Sequence, residues 1–205
     1  MRKIILIIFL FFISYNAYSN EKITTLVLVD NLAITNIDLQ NEIKLLNTLN
    51  PENKLEIDNE NTKKIITENL INETIKSLDI KKNNIIIDKV ILDNEYNQLI
   101  TKIINNKIIL SETLKNSLYK KIKIDYEWNL LISKIYSWKI SININEVEDR
   151  IKKLNKENLS IDKLENIKNN LIEQERKKKF VIYSNLHLKK LKEQYNIKII
   201  KWKKY

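Results

Sequence analysis

Imidazole, the side chain that enzymes use most often for acid–base chemistry, occurs once in this chain, at His187, between Leu186 and Leu188. A catalytic imidazole needs a nucleophile or an orienting carboxylate beside it, and no motif in the sequence supplies either. We therefore expect His187 to be a packed or surface residue rather than a catalyst.

A compact acidic group, Glu146, Glu148 and Asp149, could in principle ligate a divalent cation. It follows Asn145, which we expect to cap a helix. The three side chains would then lie in the first turn, where the helix dipole favours negative charge. We predict a capping role and no metal site.

Missing residue types exclude further chemistry. The chain has no Cys, which rules out disulfides, thiolate nucleophiles, structural zinc and a lipid-modified N-terminal Cys. It has no Gly, so a glycine-rich phosphate loop cannot form. We predict no enzymatic activity, no cofactor and no small-molecule substrate.

The formal net charge is +10, and almost all of it comes from Lys, because Arg occurs only at positions 2, 150 and 176. Basic proteins bind nucleic acids, anionic membranes or acidic proteins. Specific readers of nucleic acid depend on the bidentate contacts of Arg, so we predict no nucleic-acid partner. We expect at most a weak, salt-sensitive contact with an anionic membrane surface.

The N-terminus has the order of an export signal. Met1 to Lys3 is positively charged, Ile4 to Ile13 is apolar, and Ala17 and Ser19 are small residues at the positions that a signal peptidase inspects. A membrane-spanning anchor is the alternative, but it needs about 20 apolar residues, roughly twice this run. We predict a signal peptide over residues 1–19, cleaved after Ser19.

Composition and spacing predict a mainly α fold. Without Gly and with one Pro, at position 51, the chain has few residues that favour the turns of a sheet. One hairpin is predicted, with Ile23 to Val29, a turn at Asp30 and Asn31, and a return over Leu32 to Ile34. Thr35 or Asn36 should cap the helix that follows.

Apolar residues at helical spacing predict the remaining helices. Ser111 should cap a short helix, and Asp125 a separate one that buries Trp128, Ile132 and Ile135. The charged run Glu173 to Lys179 is interpreted as a solvated face. The predicted ranges are 61–78, 88–104, 111–118, 125–138, 146–154 and 160–195.

The C-terminal stretch Ile197 to Trp202 alternates like a strand. A lone strand is unstable, so it needs a partner, and we predict pairing with Thr25 to Val29. Residues 20–155 would then form a helical domain, and residues 156–205 would complete the same domain with a long helix and a strand.

Several segments resemble the N-terminal domain of SurA-type periplasmic chaperones. Val27 to Leu39 is similar to the family's strand, turn and capped helix, and Leu70 to Ile75 to its helix written L-I-x-E-x-I. Ile124 to Ile132 and Ile140 to Glu148 resemble two further segments, in the family's order. The resemblance implies a SurA-like helical bundle located in the periplasm.

Two departures from the family pattern matter. Asp79 and Lys107 stand near positions where the family has glycines after helices, and Lys is a poor substitute in the left-handed conformation. The parvulin isomerase domain that such proteins insert is missing, because only a short joint, 156–160, lies at its expected place. Prolyl isomerase activity is therefore not expected.

The resemblance implies a non-catalytic holdase whose clients are unfolded outer-membrane proteins. Such a chaperone needs an exposed apolar crevice. The alternative is a periplasmic adaptor module that holds one specific folded partner. The aromatic residues could also simply fill the core. The candidate peptide-binding residues are Tyr96, Tyr119, Tyr126, Tyr136 and Trp138.

Overall fold

The computed structural model describes residues 22–154 and 161–200. This part of the chain is mainly helical, with a small antiparallel sheet and a long C-terminal helix, which confirms the predicted fold class. The predicted signal peptide, the joint 156–160 and Trp202 lie outside the described residues. The elements in chain order are β1 Thr25–Val29, β2 Leu32–Thr35, α1 Asn36–Leu49, α2 Glu60–Lys82, α3 Lys89–Asn105, α4 Glu112–Ile140, α5 Ile144–Leu154, α6 Ile161–Gln194 and β3 Ile197–Ile199.

The sheet has the strand order β2-β1-β3, so the first strand is paired on both sides. β3 runs antiparallel to β1, with Val27 opposite Ile199 and Val29 opposite Ile197. Asp30 strengthens the join, because its N–H donates to the carbonyl of Asn196 at 2.8 Å and its side chain accepts from the Asn196 N–H at 2.9 Å. The predicted pairing of the two terminal regions is confirmed.

Short polar side chains begin the helices, as expected for N-caps. Thr35 caps α1 and forms a reciprocal capping box with Asp38. Asn59, Asp88 and Ser111 accept hydrogen bonds from the first turns of α2, α3 and α4. α5 differs from the prediction, because the Asn145 N–H donates to the side chain of Asn143, which therefore occupies the capping position.

Residues other than Gly adopt the left-handed turns. Asp30 does so in the hairpin, and Asn84 and Lys107 do so after α2 and α3, with φ angles of 50° and 59°. Asp79 was expected near such a turn, but α2 continues past it to Lys82. The side chain of Asp79 is instead buried inside the bundle.

The main core lies where β1 meets α1, α2, α4 and α6, and a smaller core joins α3 to α1 and α4. Trp128, Leu131 and Ile132 of α4 are almost completely buried at the centre. Full burial of each such side chain stabilises the fold by about 1.5–3 kcal/mol. Leu191 places the C-terminal helix in the same core.

The predicted break between two helices at Asp125 is wrong, since α4 is one helix from Glu112 to Ile140. Neither Pro nor Gly interrupts it, and the Asp125 carboxylate pairs with Lys76 of α2 at 3.5 Å. The irregularity comes later, at Tyr136, whose φ and ψ are −113° and 19°. Ile135 beside this kink is exposed, although its spacing predicts burial.

α6 has 34 residues and is therefore about 50 Å long. Its second half packs on α4 and α2, and its first half packs on α5. Glu148 to Lys168 at 2.5 Å and Arg150 to Glu175 at 2.7 Å join α5 to α6. Among the described helices, none combines the length and apolar character needed to cross a membrane.

Candidate peptide-binding surface

Three of the five predicted peptide-binding residues lie where α3 meets α4. The rings of Tyr96 and Tyr119 meet edge to face with centroids 5.2 Å apart. The Tyr119 hydroxyl donates to Asp93 at 2.9 Å, and this bond raises the pKa of Tyr119. Tyr126 is half-buried, and this burial raises its pKa, as does a hydrogen bond with Glu95. These tyrosines attach α3 to α4, and each of them is only partly exposed.

Tyr136 lies at the kink of α4 and is turned towards α6. Its ring stacks on Tyr183, with centroids 5.2 Å apart and an interplanar angle of 20°. Its hydroxyl lies 3.1 Å from Nδ1 of His187. Burial, followed by the charge of Asp79, raises the pKa of Tyr136, so the phenol stays protonated. Tyr136 is therefore a core residue, buried behind Tyr183 and Lys139.

Trp138 is the one residue of the predicted five that is largely exposed, at 71%. It follows the kink by two positions, near the end of α4. A Trp that leaves most of its indole in water is unusual, because this side chain carries a large apolar area. Trp138 is thus the candidate with the most area to offer a ligand.

Lys139 connects Trp138 with the two stacked tyrosines. Its Nζ lies 4.7 Å from the ring centre of Trp138, 5.4 Å from that of Tyr183 and 5.9 Å from that of Tyr136. These separations are within the range of cation–π attraction. We call the four residues Tyr136, Trp138, Lys139 and Tyr183 the aromatic surface.

α6 extends the aromatic surface with aliphatic side chains. Ile182 and Leu186 are 52% and 40% exposed, and both continue the helical stripe that contains Glu175 and Lys179. Glu175 is paired with Arg150 of α5, while the Lys179 ammonium donates to the carbonyl of Ser141, before α5 begins, at 2.7 Å. α5 therefore covers the earlier part of this stripe, and the part next to Tyr183 stays open.

A buried polar network fixes the helices behind this surface. Nε2 of His187 lies 2.9 Å from Oδ2 of Asp79, so His187 links α2 through Asp79 and α4 through Tyr136. The indole N–H of Trp128 donates to the hydroxyl of Ser184 at 2.8 Å. Sequence reasoning missed the Asp79 partner because 108 residues separate it from His187.

Sequence reasoning also missed Lys139, Tyr183, Ile182 and Leu186. The signal available was the stripe from Glu175 to Leu186 at intervals of three or four residues. The charged run Glu173 to Lys179 overlaps this stripe and was interpreted as a separate solvated face. Most of that run is exposed, in agreement with its interpretation as a solvated face, but Glu175 is half-buried and binds Arg150, and Lys179 donates to Ser141.

The acidic group of α5 has partners other than those expected from capping alone. Glu146 accepts from the side chain of Asn143 at 3.2 Å, Glu148 pairs with Lys168, and Asp149 pairs with Lys152 at 3.6 Å. Across the described ranges, no cluster of three or more His, Asp or Glu side chains is placed to hold a metal ion. These carboxylates mainly join and order α5 and α6.

The aromatic surface combines an exposed indole, a half-buried tyrosine and a half-buried lysine over the buried Tyr136, with exposed aliphatic side chains next to them on α6. Such a surface can bind apolar side chains without chemical reaction. In the comparisons with known proteins, no family model and no curated protein matches the chain.

Proposed function

We propose that the protein is an exported, non-catalytic holdase of the periplasm that binds unfolded outer-membrane proteins at the aromatic surface. The observation that carries this proposal is Trp138, whose indole is 71% exposed beside Lys139 and Tyr183. The resemblance of several segments to SurA-type chaperones supports the same class of function.

The chemistry of the clients fits such a surface. Strands of outer-membrane barrels alternate apolar and polar residues and carry aromatic girdles. An unfolded strand therefore presents aromatic side chains that need temporary cover in water. Trp138 offers a ring face, and Ile182 and Leu186 offer side chains that can repack around different clients.

Release requires that the affinity stay modest. The aromatic surface is small, and burial of one exposed Trp and two aliphatic side chains contributes only a few kcal/mol. An affinity of this size lets a client leave without ATP. The network of His187, Asp79 and Tyr136 would keep the surface in place while its outer side chains adapt.

The test is suppression of aggregation. A urea-unfolded outer-membrane barrel protein is diluted into buffer with increasing amounts of the protein, and light scattering is recorded. We expect suppression that increases with the molar excess of the protein, and we expect Trp138→Ser to need about twofold to tenfold more protein, because the lost ring contact is worth about 0.5–1.5 kcal/mol.

Ile109→Ser is the matched control. Ile109 is 90% exposed, but it precedes α4, about 40 Å along that helix from Trp138. Equal scattering with and without the wild-type protein would refute the holdase. A pull-down from periplasmic extract dominated by one folded protein would instead support the adaptor, and accelerated isomerisation of a proline peptide would refute the non-catalytic assignment.

A further inference from the structure

Lys139 lacks a carboxylate partner in the part of the chain that the structure describes, although it is half-buried. Other half-buried lysines of the same helices have one. Lys121 pairs with Glu42 and Glu73, Lys168 pairs with Glu148, and Lys192 pairs with Glu68. Lys139 is instead held against three aromatic rings.

Contacts with aromatic ring faces replace only part of the hydration that a half-buried ammonium group loses. An exposed cation–π contact is worth about 0.5–1 kcal/mol, and the ammonium group still has three N–H donors that need acceptors. A second ammonium, that of Lys179, lies on the neighbouring turn before Tyr183 and is directed to the end of α4. Lys139 in the last turn of α4 and Lys179 at its C-cap therefore place two ammonium groups at one helix end, and an anionic acceptor is the ligand that this arrangement suits.

The placement of this charge favours a flexible chain over a flat bilayer. The exposed indole of Trp138 stands beside Lys139, whose side chain is only partly accessible between the rings. A carboxylate on an unfolded segment can reach between the rings while an adjacent aromatic residue covers Trp138. A flat bilayer would contact the exposed indole of Trp138 before its headgroups could reach the ammonium group of Lys139.

We infer that Lys139 binds a carboxylate of the client, so that the aromatic surface selects unfolded segments in which Asp or Glu adjoins an aromatic residue. This inference rests on the proposed holdase function and names the class of segment that the same surface prefers. Charge complementarity adds selectivity to contacts that are otherwise apolar.

Three fluorescein-labelled synthetic peptides test this preference. One alternates tyrosine with aspartate, one replaces every aspartate with asparagine, and one replaces it with lysine. Fluorescence anisotropy at low salt measures their affinities for the full chain. We expect the aspartate peptide to bind about threefold to tenfold more tightly than the asparagine peptide, as for a partly desolvated ion pair, and the lysine peptide to bind most weakly.

Lys139→Gln should remove the difference between the aspartate and asparagine peptides, and Lys139→Arg should keep it. Lys134→Gln is the matched control, because it removes one exposed charge from the same helix outside the aromatic surface. Circular dichroism checks that each variant is folded. Added sodium chloride should lower the affinity of the aspartate peptide more than that of the asparagine peptide.

The other possible outcomes distinguish a failure of the carboxylate preference from a failure of the holdase function. Equal binding of the aspartate and asparagine peptides overturns the inference and leaves the holdase intact. Equal losses in Lys139→Gln and Lys134→Gln also overturn it, because general positive charge would then explain the preference. Lys139-dependent binding of phosphatidylglycerol vesicles in place of peptides overturns it as well, whereas failure of all peptides together with no suppression of aggregation refutes the proposed function itself.

Discussion

Lys121 and Lys139 lie in opposite halves of α4 and have different surroundings. Lys121 is enclosed by α1 and α2, where its Nζ lies 3.0 Å from Glu42 and 2.6 Å from Glu73. Burial would lower the pKa of Lys121, but the hydrogen bonds and charges of Glu73 and Glu42 outweigh it and raise that pKa. Lys139 has aromatic rings where Lys121 has carboxylates.

The tyrosines of α4 follow the same division. Tyr119 and Tyr126 lie on the half that α3 covers, and each is bound to a carboxylate of α3. Tyr136 and Trp138 lie on the half that meets α6, where the contact partners are other rings. The polar groups on the first half therefore have partners within the fold, whereas Lys139 near the C-terminal end of α4 contacts only rings among the described residues, which is why we propose this end as the binding surface.

Removal of Lys121 should have the largest effect on stability. Lys121→Met leaves the buried Glu42 and the half-buried Glu73 without their shared cation. Breaking a buried ion pair costs about 3–5 kcal/mol, and the partial exposure of this site reduces the expected loss to about 2–3 kcal/mol of unfolding free energy. Urea unfolding followed by circular dichroism measures it.

Lys139→Met is the matched variant, and its unfolding free energy should stay within about 0.5 kcal/mol of the wild-type value. Addition of Glu42→Gln and Glu73→Gln to Lys121→Met should recover part of the loss, because the stranded carboxylates are then removed. Equal destabilisation by the two lysine substitutions would contradict the contrast between the ends of α4.

The second expected effect concerns the network behind the aromatic surface. His187→Leu removes one partner of Asp79, whose buried carboxylate then keeps, among the described residues, only the side-chain amide of Asn83 at 3.2 Å. We expect a loss of about 1–2 kcal/mol, as for a buried charged acceptor deprived of a donor. Urea unfolding gives the value.

Asp79→Asn in the same chain should restore part of that stability, since the uncharged amide costs less to bury. The coupling between the two substitutions then measures the pair itself. Additive effects of Asp79→Asn and His187→Leu would show that the two side chains act independently, against the geometry of the network.

Local signals made most of the fold predictable. The β-branched run Ile23 to Val29 and the pair Asp30-Asn31 predict the hairpin, and Thr35 and Ser111 predict helix starts that the structure confirms. The pairing of β3 with β1 also followed, because an isolated strand needs a partner. These features depend on a few neighbouring residues or on a general requirement of the backbone.

The candidate site was less predictable because its contacts join distant positions. Trp138 was among the predicted residues, but its exposure depends on the kink at Tyr136, which no proline or glycine announces. The stacking of Tyr136 on Tyr183 requires the crossing of α4 and α6. Asp125, a good cap by type, lies inside a helix, where its exposed carboxylate lies 3.5 Å from Lys76 of α2, a contact that the local sequence does not indicate.

The smallest expected effect is a pH dependence at the end of the molecule where α5 adjoins the aromatic surface. Hydrogen bonds from Lys168 and Arg150 hold the pKa values of Glu148 and Glu175 below their usual range. A carboxyl group with a lowered folded-state pKa stabilises the packed form above its unfolded pKa, and that contribution disappears as the pH falls through the folded value. Hydrogen exchange of α5 amides should therefore accelerate below about pH 4, after correction for the intrinsic exchange rate.

The double variant Glu148→Gln and Glu175→Gln should lose this response, while amides of α2 and α4 stay unchanged in both proteins. Persistence of the response in the double variant would place its origin in other carboxylates and show that these two ion pairs are too exposed to matter.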